Sequence, residues 1–514
     1  MGKSQAHGRA HAENAIRAFY RSLYDVLAPI HYGSFVSEVS ARIHAAHQDR
    51  SLLGRWTPAH LLHAIECAAF ASQRPEGFVA DEHVIQCVMS LYREFTNPVQ
   101  TYFLVELQSV DLWLMLLDRE QLQTQFNATR LSVGRALRLL WLDQPLPRTS
   151  ALIAHHVGFS VEDLLVTAFF GWAATFKRRY PEMGMDYGLQ IPHALIPPPI
   201  FYRCMRELSY TPDELAGRHS VTRDMATPLR ASSVESPFLR RPAIQLPGDF
   251  VIPRPDLMIT AAISAVLELG ERHCPQELAA ELGQSLEKYL HTVMARAPGL
   301  LQKVDERVIR ERASKRSCDG IFEFADIVLV VESKAVQLNA QLIDPPVLRD
   351  PACTTAHLAE GSQQVRATAR DIRAGVYDDL LLDSKKPIFG VVLTLGHFPQ
   401  ANGEWMQNQV IRPRIPLNDR DRWPVPLEWE PQVWDVESLD RFVTILAMNE
   451  VRAGEIFERK REDVKRTFGE WDRFLERLTG GRADPLRDFF RAPFDEFWQV
   501  RFGPVVGPSR DDDT

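Results

Sequence analysis

Residues 317–335 read SCDGIFEFADIVLVVESKA. Within them, Ile327 to Val331 is an unbroken aliphatic run rich in β-branched side chains, the composition of a strand buried on both faces of a sheet. It leads directly into Glu332-Ser333-Lys334. Strand side chains alternate, so Glu332 and Lys334 share a face, about 6–7 Å apart along the chain, and Ser333 occupies the other. A hairpin turning at Ala325-Asp326 pairs Phe324 with Ile327, and every facing pair then has the same positional sum. That register sets Asp319 opposite Glu332. Facing side chains lie with Cβ atoms ~5 Å apart, and two carboxylates at that separation can hold a hard divalent cation at ~2.1 Å. Asp326 is excluded as the partner acid, since it lies roughly 20 Å from Glu332 at ~3.3 Å per residue.

An Asp on one strand and Glu-x-Lys at the end of the next resembles the PD-(D/E)XK nuclease superfamily, whose members carry an αβββαβ core. The resemblance spans roughly residues 260–450, and Cys318 stands where the proline of the family's name would be. It implies that Asp319 and Glu332, with the Ser333 carbonyl, bind Mg²⁺ (or Mn²⁺), and that Lys334 assists attack of water on a phosphodiester. Upstream, residues 283–289 look like the first core helix, whose glutamate would be Glu287 and would support the metal. Downstream, residues 360–365 look like the helix that supplies a glutamine, here Gln364. The implied activity is a Mg²⁺-dependent nuclease, with DNA favoured over RNA, in a defence or repair setting. The competing reading is a nuclease fold kept as a catalytically inactive binding scaffold. Its lysine and carboxylate would then be a buried ion pair, which roughly breaks even energetically and so gives stability little reason to keep it.

The 514 residues are 45% hydrophobic and 25% charged with a net charge of −8, an ordinary globular composition. Acidity of the whole molecule argues against a nucleic-acid binder that is basic overall, although a nuclease needs positive charge only along its groove. The six cysteines have no metal or redox spacing and suit a reduced, cytoplasmic setting. The longest apolar run, residues 164–176, is too short to span a bilayer and reads as a buried helix.

The expected class is α+β, in four parts. Residues 1–180 are read as an all-α domain, 181–256 as a Pro-rich connector with two short β segments around Pro247-Gly248, 257–450 as the nuclease-like domain, and 451–514 as C-terminal helices and a tail. His60, His63 and Cys67 share a helix face, but with no partner motif they read as interior residues rather than metal ligands. Helices are expected over 257–269, 275–297 and 356–374, with strands over 388–394 and near Val433. A first strand over 307–313 would place Arg310 and Arg312 on one side and, with Lys315 and Arg316, offer contacts to phosphates. The interleaved Asp305, Glu306 and Glu311 make a solvated mixed surface the alternative. The helical half is expected to control access or recruit a protein partner, so a piece starting near residue 235 should keep the catalytic fold but change in substrate choice or regulation; a homo-oligomer is left open.

Overall fold

The computed structural model describes residues 14, 17–49, 51–52, 55–72, 77–105, 130–176, 195–224, 237–312, 317–335, 352–396, 398, 401–403, 406–415, 427–448, 450–467, 471–480 and 482–501. The chain is mixed α and β, mostly helical, with a three-stranded and a five-stranded sheet. Among the described residues, no single helix is long and apolar enough to cross a membrane.

Helical residues 17–27, α1 (Tyr32–Gln48), α2 (Pro58–Ala71) and α3 (Glu82–Val105) open the fold. They close one apolar cluster around Leu23, Phe35, Leu61, Ile65 and Val88. His63 sits inside it as an interior hydrogen-bonding group, with Nδ1 2.6 Å from the Tyr92 hydroxyl and Nε2 3.3 Å from that of Tyr20. Helices α4 (Arg130–Leu140), α5 (Pro147–Val157) and α6 (Val161–Phe176) follow. After them come α7 (Pro198–Glu207), β1 (Ser209–Tyr210) and α8 (Pro212–Asp224), then the hairpin β2 (Ala243–Leu246) and β3 (Asp249–Val251). That hairpin turns at Pro247-Gly248, where Gly248 adopts φ 81°. It joins two cores, because Ile244 and Val251 pack into the first cluster while Ala243 and Phe250 pack into the second.

The larger sheet is flanked by long helices. Pro275 occupies the first turn of α10 (Pro275–Met294), which follows α9 (Leu257–His273), and Gly299 at φ 77° turns the chain into β4 (Leu300–Asp305). A short helix, α11 (Glu306–Arg312), leads to β5 (Gly320–Phe324) and β6 (Val328–Lys334), and α12 (Ala352–Arg373) leads to β7 (Ile388–Thr394) and β8 (Gln432–Asp435). Helices α13 (Val436–Ala447), α14 (Ala453–Thr467), α15 (Trp471–Thr479) and α16 (Arg487–Arg501) complete the chain. Strand order is β4-β5-β6-β7-β8, antiparallel as far as β6 and parallel from β6 to β8. With a neighbour on each side and helices on both faces, β6 needs apolar side chains throughout, which accounts for its unbroken run. Val328 and Val330 face α12 with Val365 and Ala369, whereas Leu329 and Val331 face α10 and α13 with Leu290 and Phe442.

Two expectations are corrected. Residues 306–312 are helix rather than strand, held by the i,i+4 pairs Glu306–Arg310 and Arg307–Glu311, with Ile309 the one fully buried side chain among them. The first strand lies just before, at 300–305. The expected all-α unit 1–180 is divided between two cores, since α4, α5 and α6 pack with α9, α10, α13 and α16 around the larger sheet. Arg135 of α4 pairs with buried Asp440 of α13 at 2.6 Å, and Ser285 of α10 donates to the Leu139 carbonyl at 2.7 Å. A piece starting near residue 235 therefore strips the larger sheet of part of its own core.

Candidate active site

The hairpin has the register read from the sequence. Gly320 pairs with Val331, Ile321 with Val330, Phe322 with Leu329 and Glu323 with Val328, and the Phe324 N–H donates to the Ile327 carbonyl at 2.9 Å. The ladder stops at Gly320, one residue short of the expected Asp319–Glu332 pair. There Asp319 turns its carboxylate to the neighbouring residue: Oδ2 accepts from the Ser333 N–H at 2.6 Å and from the Ser333 hydroxyl. Ser333, expected on the face away from the charges, is thus the partner that caps the end of β6.

Glu332 and Lys334 share a face as alternation requires, and their side chains meet, Nζ to Oε1 at 2.9 Å. From α12, Gln364 accepts from Lys334 Nζ through Oε1 at 2.7 Å and donates through Nε2 to the Ser317 carbonyl at 3.2 Å. Gly361 lets this helix lie close to the sheet, since a Cβ there would stand 2.9 Å from Val392 and 3.5 Å from Glu332. Glu360, which the sequence reading did not single out, brings a further carboxylate to 3.7 Å from Lys334 Nζ. The group stands at the carboxyl end of β6, where the sheet changes from antiparallel to parallel pairing.

Glu332 is 3% exposed. Oε1 has the lysine, but Oε2 is buried with no hydrogen-bond partner, and among the described residues it is the one carboxylate oxygen in that condition. Burial, followed by the negative charge of Asp319, pushes the Glu332 carboxyl up to about 8, against the opposing pull of Lys334. A hard cation fits the oxygen donors present. Among the described residues no three His, Cys, Asp or Glu side chains are grouped to hold a metal ion unaided. A Mg²⁺ bound here would accordingly keep several waters, as that ion ordinarily does.

Glu287, on α10, does not join the Glu332–Lys334–Gln364 hydrogen bonds. It lies within electrostatic reach of Asp319: its carboxyl is raised by burial first and by Asp319 next. One helical turn on is His291, also passed over in the sequence, with Nε2 3.0 Å from the Asp319 carbonyl. The i,i+4 spacing Glu287-x-x-x-His291 was the available signal, because it puts both residues on one helix face. The expected phosphate-contacting arginines are already engaged, Arg310 with Glu306 and Arg312 with Asp379 at 2.7 Å. Both are on helix α11 rather than a strand. Lys315 and Arg316 lie outside the described residues.

No family model matches this chain, and neither a curated protein nor a solved structure matches it.

Proposed function

We propose that the protein is a divalent-cation-dependent nuclease of the PD-(D/E)XK type, hydrolysing phosphodiester bonds, with DNA as its substrate. The observation that carries this reading is Glu332 Oε2, a buried and unpartnered carboxylate oxygen beside a second carboxylate, a lysine and a glutamine. A carboxylate kept only for stability has no reason to remain half-satisfied, because an unpaired buried polar atom costs about 1–3 kcal/mol. The order helix, strand, strand, strand, helix, strand from α10 to β7, with α11 inserted, supports the same reading.

Asp319, Glu332 and the Ser333 carbonyl would hold Mg²⁺, which would supply Lewis-acid activation of water and neutralise charge building up on the phosphate. Lys334 Nζ, held by Glu332 and Gln364, stands where it can orient the attacking water and take charge from the phosphate oxygens. Gln364 keeps that ammonium fixed by accepting from it, while its own amide is anchored on Ser317. Ser333 keeps the Asp319 carboxylate against the end of β6.

The test is incubation of the full chain with plasmid, linear duplex, single-stranded DNA and RNA in Mg²⁺, Mn²⁺ or EDTA. Cleavage is expected with either metal and none in EDTA, and Glu332→Ala should remove it while leaving melting in EDTA intact. Absence of cleavage of every substrate in both metals would favour a nuclease fold retained as a binding platform.

A further inference from the structure

We propose that His291 is the positioning residue of this site: by holding the Asp319 main-chain carbonyl it sets where the Asp319 carboxylate stands, and with it the affinity for the divalent cation. The inference rests on the metal-site reading above and adds a residue to it.

Asp319 lies one residue beyond the β5–β6 ladder, so strand pairing does not fix it. Two other groups do. Ser333 holds its carboxylate, and His291 Nε2 approaches its carbonyl at 3.0 Å. A carbonyl only accepts, so the proton of that hydrogen bond is on Nε2. The other ring nitrogen, Nδ1, lies 3.2 Å from Oδ1 of Asp305, the last residue of β4. From the last turn of α10 the imidazole thus holds the start of β5 through Nε2, while Nδ1 makes no hydrogen bond. Its ring rests against Phe322, centroids 5.5 Å apart, and its side chain is only 13% exposed. Gly320 leaves room for this approach, because a Cβ there would stand 3.3 Å from His291 Cε1 and 2.6 Å from the Phe322 ring. The arrangement is that of an outer-shell group orienting a metal ligand, and removing such groups typically weakens metal binding about 10- to 100-fold.

The test uses the full chain and MnCl₂ alone, without nucleic acid, with free Mn²⁺ read by its electron paramagnetic resonance signal. His291→Ala should weaken Mn²⁺ binding about tenfold or more. His291→Gln, whose amide N–H reaches a similar position, should stay within about threefold of the parent, and Asp319→Asn should bind worst. In cleavage assays His291→Ala should need more Mn²⁺ for half-maximal rate yet recover at saturating metal, a shift that a merely structural loss would not produce. If His291→Ala binds Mn²⁺ like the parent while Asp319→Asn does not, the positioning role is overturned and the metal site stands. Equal loss in His291→Gln and His291→Ala also overturns it, since the imidazole itself is then required. If the parent binds no Mn²⁺, this inference and the nuclease reading fall together. Should His291→Ala not fold, His291→Asn replaces it, its amide too short for the carbonyl: weak binding is expected, and parental binding overturns the role.

Discussion

Glu323 and Glu332 sit at opposite ends of the same hairpin, on the sheet face covered by α12; both are at most 5% exposed and both pair with a lysine. Their surroundings differ. Glu323 Oε1 takes Lys386 Nζ at 2.7 Å and the Asp383 N–H at 3.3 Å, and Lys386 also donates to the Phe324 carbonyl at 2.8 Å. Among the described residues no second carboxylate pairs with Lys386. Glu332 shares its lysine with Gln364 and Glu360, faces the charge of Asp319, and leaves one oxygen unsatisfied. Both glutamates bond through Oε1; what sets Glu332 apart is that its Oε2 is fully buried without a partner, a condition not found at Glu323. A buried Glu–Lys contact therefore says little by itself, and the satisfaction of every polar atom around it separates a structural pair from a site.

The largest expected difference is in cleavage. Lys334→Met should lower the rate at least about 100-fold, the lower end of what a positioned acid–base group contributes, with folding in EDTA largely kept. Lys386→Met should leave the rate per folded molecule within about threefold and instead cost about 3–5 kcal/mol of stability, because it leaves Glu323 buried and unpaired. Plasmid cleavage and urea unfolding of both variants check this. Equal loss of cleavage in both would erase the distinction between the two pairs.

Metal-free stability should move in opposite directions when each glutamate is neutralised. Glu323→Gln breaks the ion pair with Lys386 and should destabilise by about 2–4 kcal/mol. Glu332→Gln removes a carboxyl whose ionised form is disfavoured first by burial and then by Asp319. The folded-state carboxyl of Glu332 titrates near 8 against an ordinary 4.5, so between those values the folded state holds more protons than the unfolded one. Stability from this group is fully present below about pH 4.5 and falls as pH rises toward 8. In EDTA, Glu332→Gln should thus equal the parent near pH 4.5 and exceed it by a few kcal/mol near pH 8.5. Mg²⁺ should restore the parent and not the variant. Urea melts across that pH range, with and without Mg²⁺, read the sign directly, and destabilisation by Glu332→Gln at pH 8.5 in EDTA would make the two pairs alike.

What the sequence disclosed follows from how local each determinant is. The hairpin register was legible because a two-residue turn at Ala325-Asp326 leaves one way to pair strands that are apolar on both faces. The meeting of Glu332 and Lys334 followed from the two-residue period alone. The error at 306–312 came from giving weight to scattered arginines over their i,i+4 acidic partners, while the true first strand, Leu300–Asp305, is half-exposed and too weakly patterned to stand out. The contact between Asp319 and Ser333 was not foreseen because Asp319 leaves the ladder, and strand alternation no longer governs a residue outside it. His291 was missed because its role depends on how α10 crosses the start of β5, a tertiary fact with only the spacing to Glu287 as a trace. The division at residue 180 failed for a similar reason: the apolar faces of α4, α5 and α6 give no indication of which core they will join.

The smallest expected effect concerns Asp326, the acid at the hairpin turn. Its Oδ2 accepts from the Gly454 N–H at 3.0 Å, in the first turn of α14, where unpaired helix N–H groups are satisfied by acidic side chains. Asp326 thus belongs with Glu323, at the structural end of the sheet. Asp326→Asn keeps an oxygen able to accept that bond and gives up only the charge, so it should cost about 1 kcal/mol or less and leave cleavage unchanged. Asp319→Asn, at the other end, should lose nearly all cleavage with little change of melting in EDTA. Gly454→Ala sharpens the contrast, since its Cβ would stand 2.9 Å from Asp326 Oδ2 and 2.8 Å from Ile327, displacing the turn that sets the register. Greater instability than in Asp326→Asn, with cleavage per folded molecule retained, is the expected result. Loss of cleavage in Asp326→Asn would mean that the turn end of the hairpin, and not the Ser333 end, carries the chemistry.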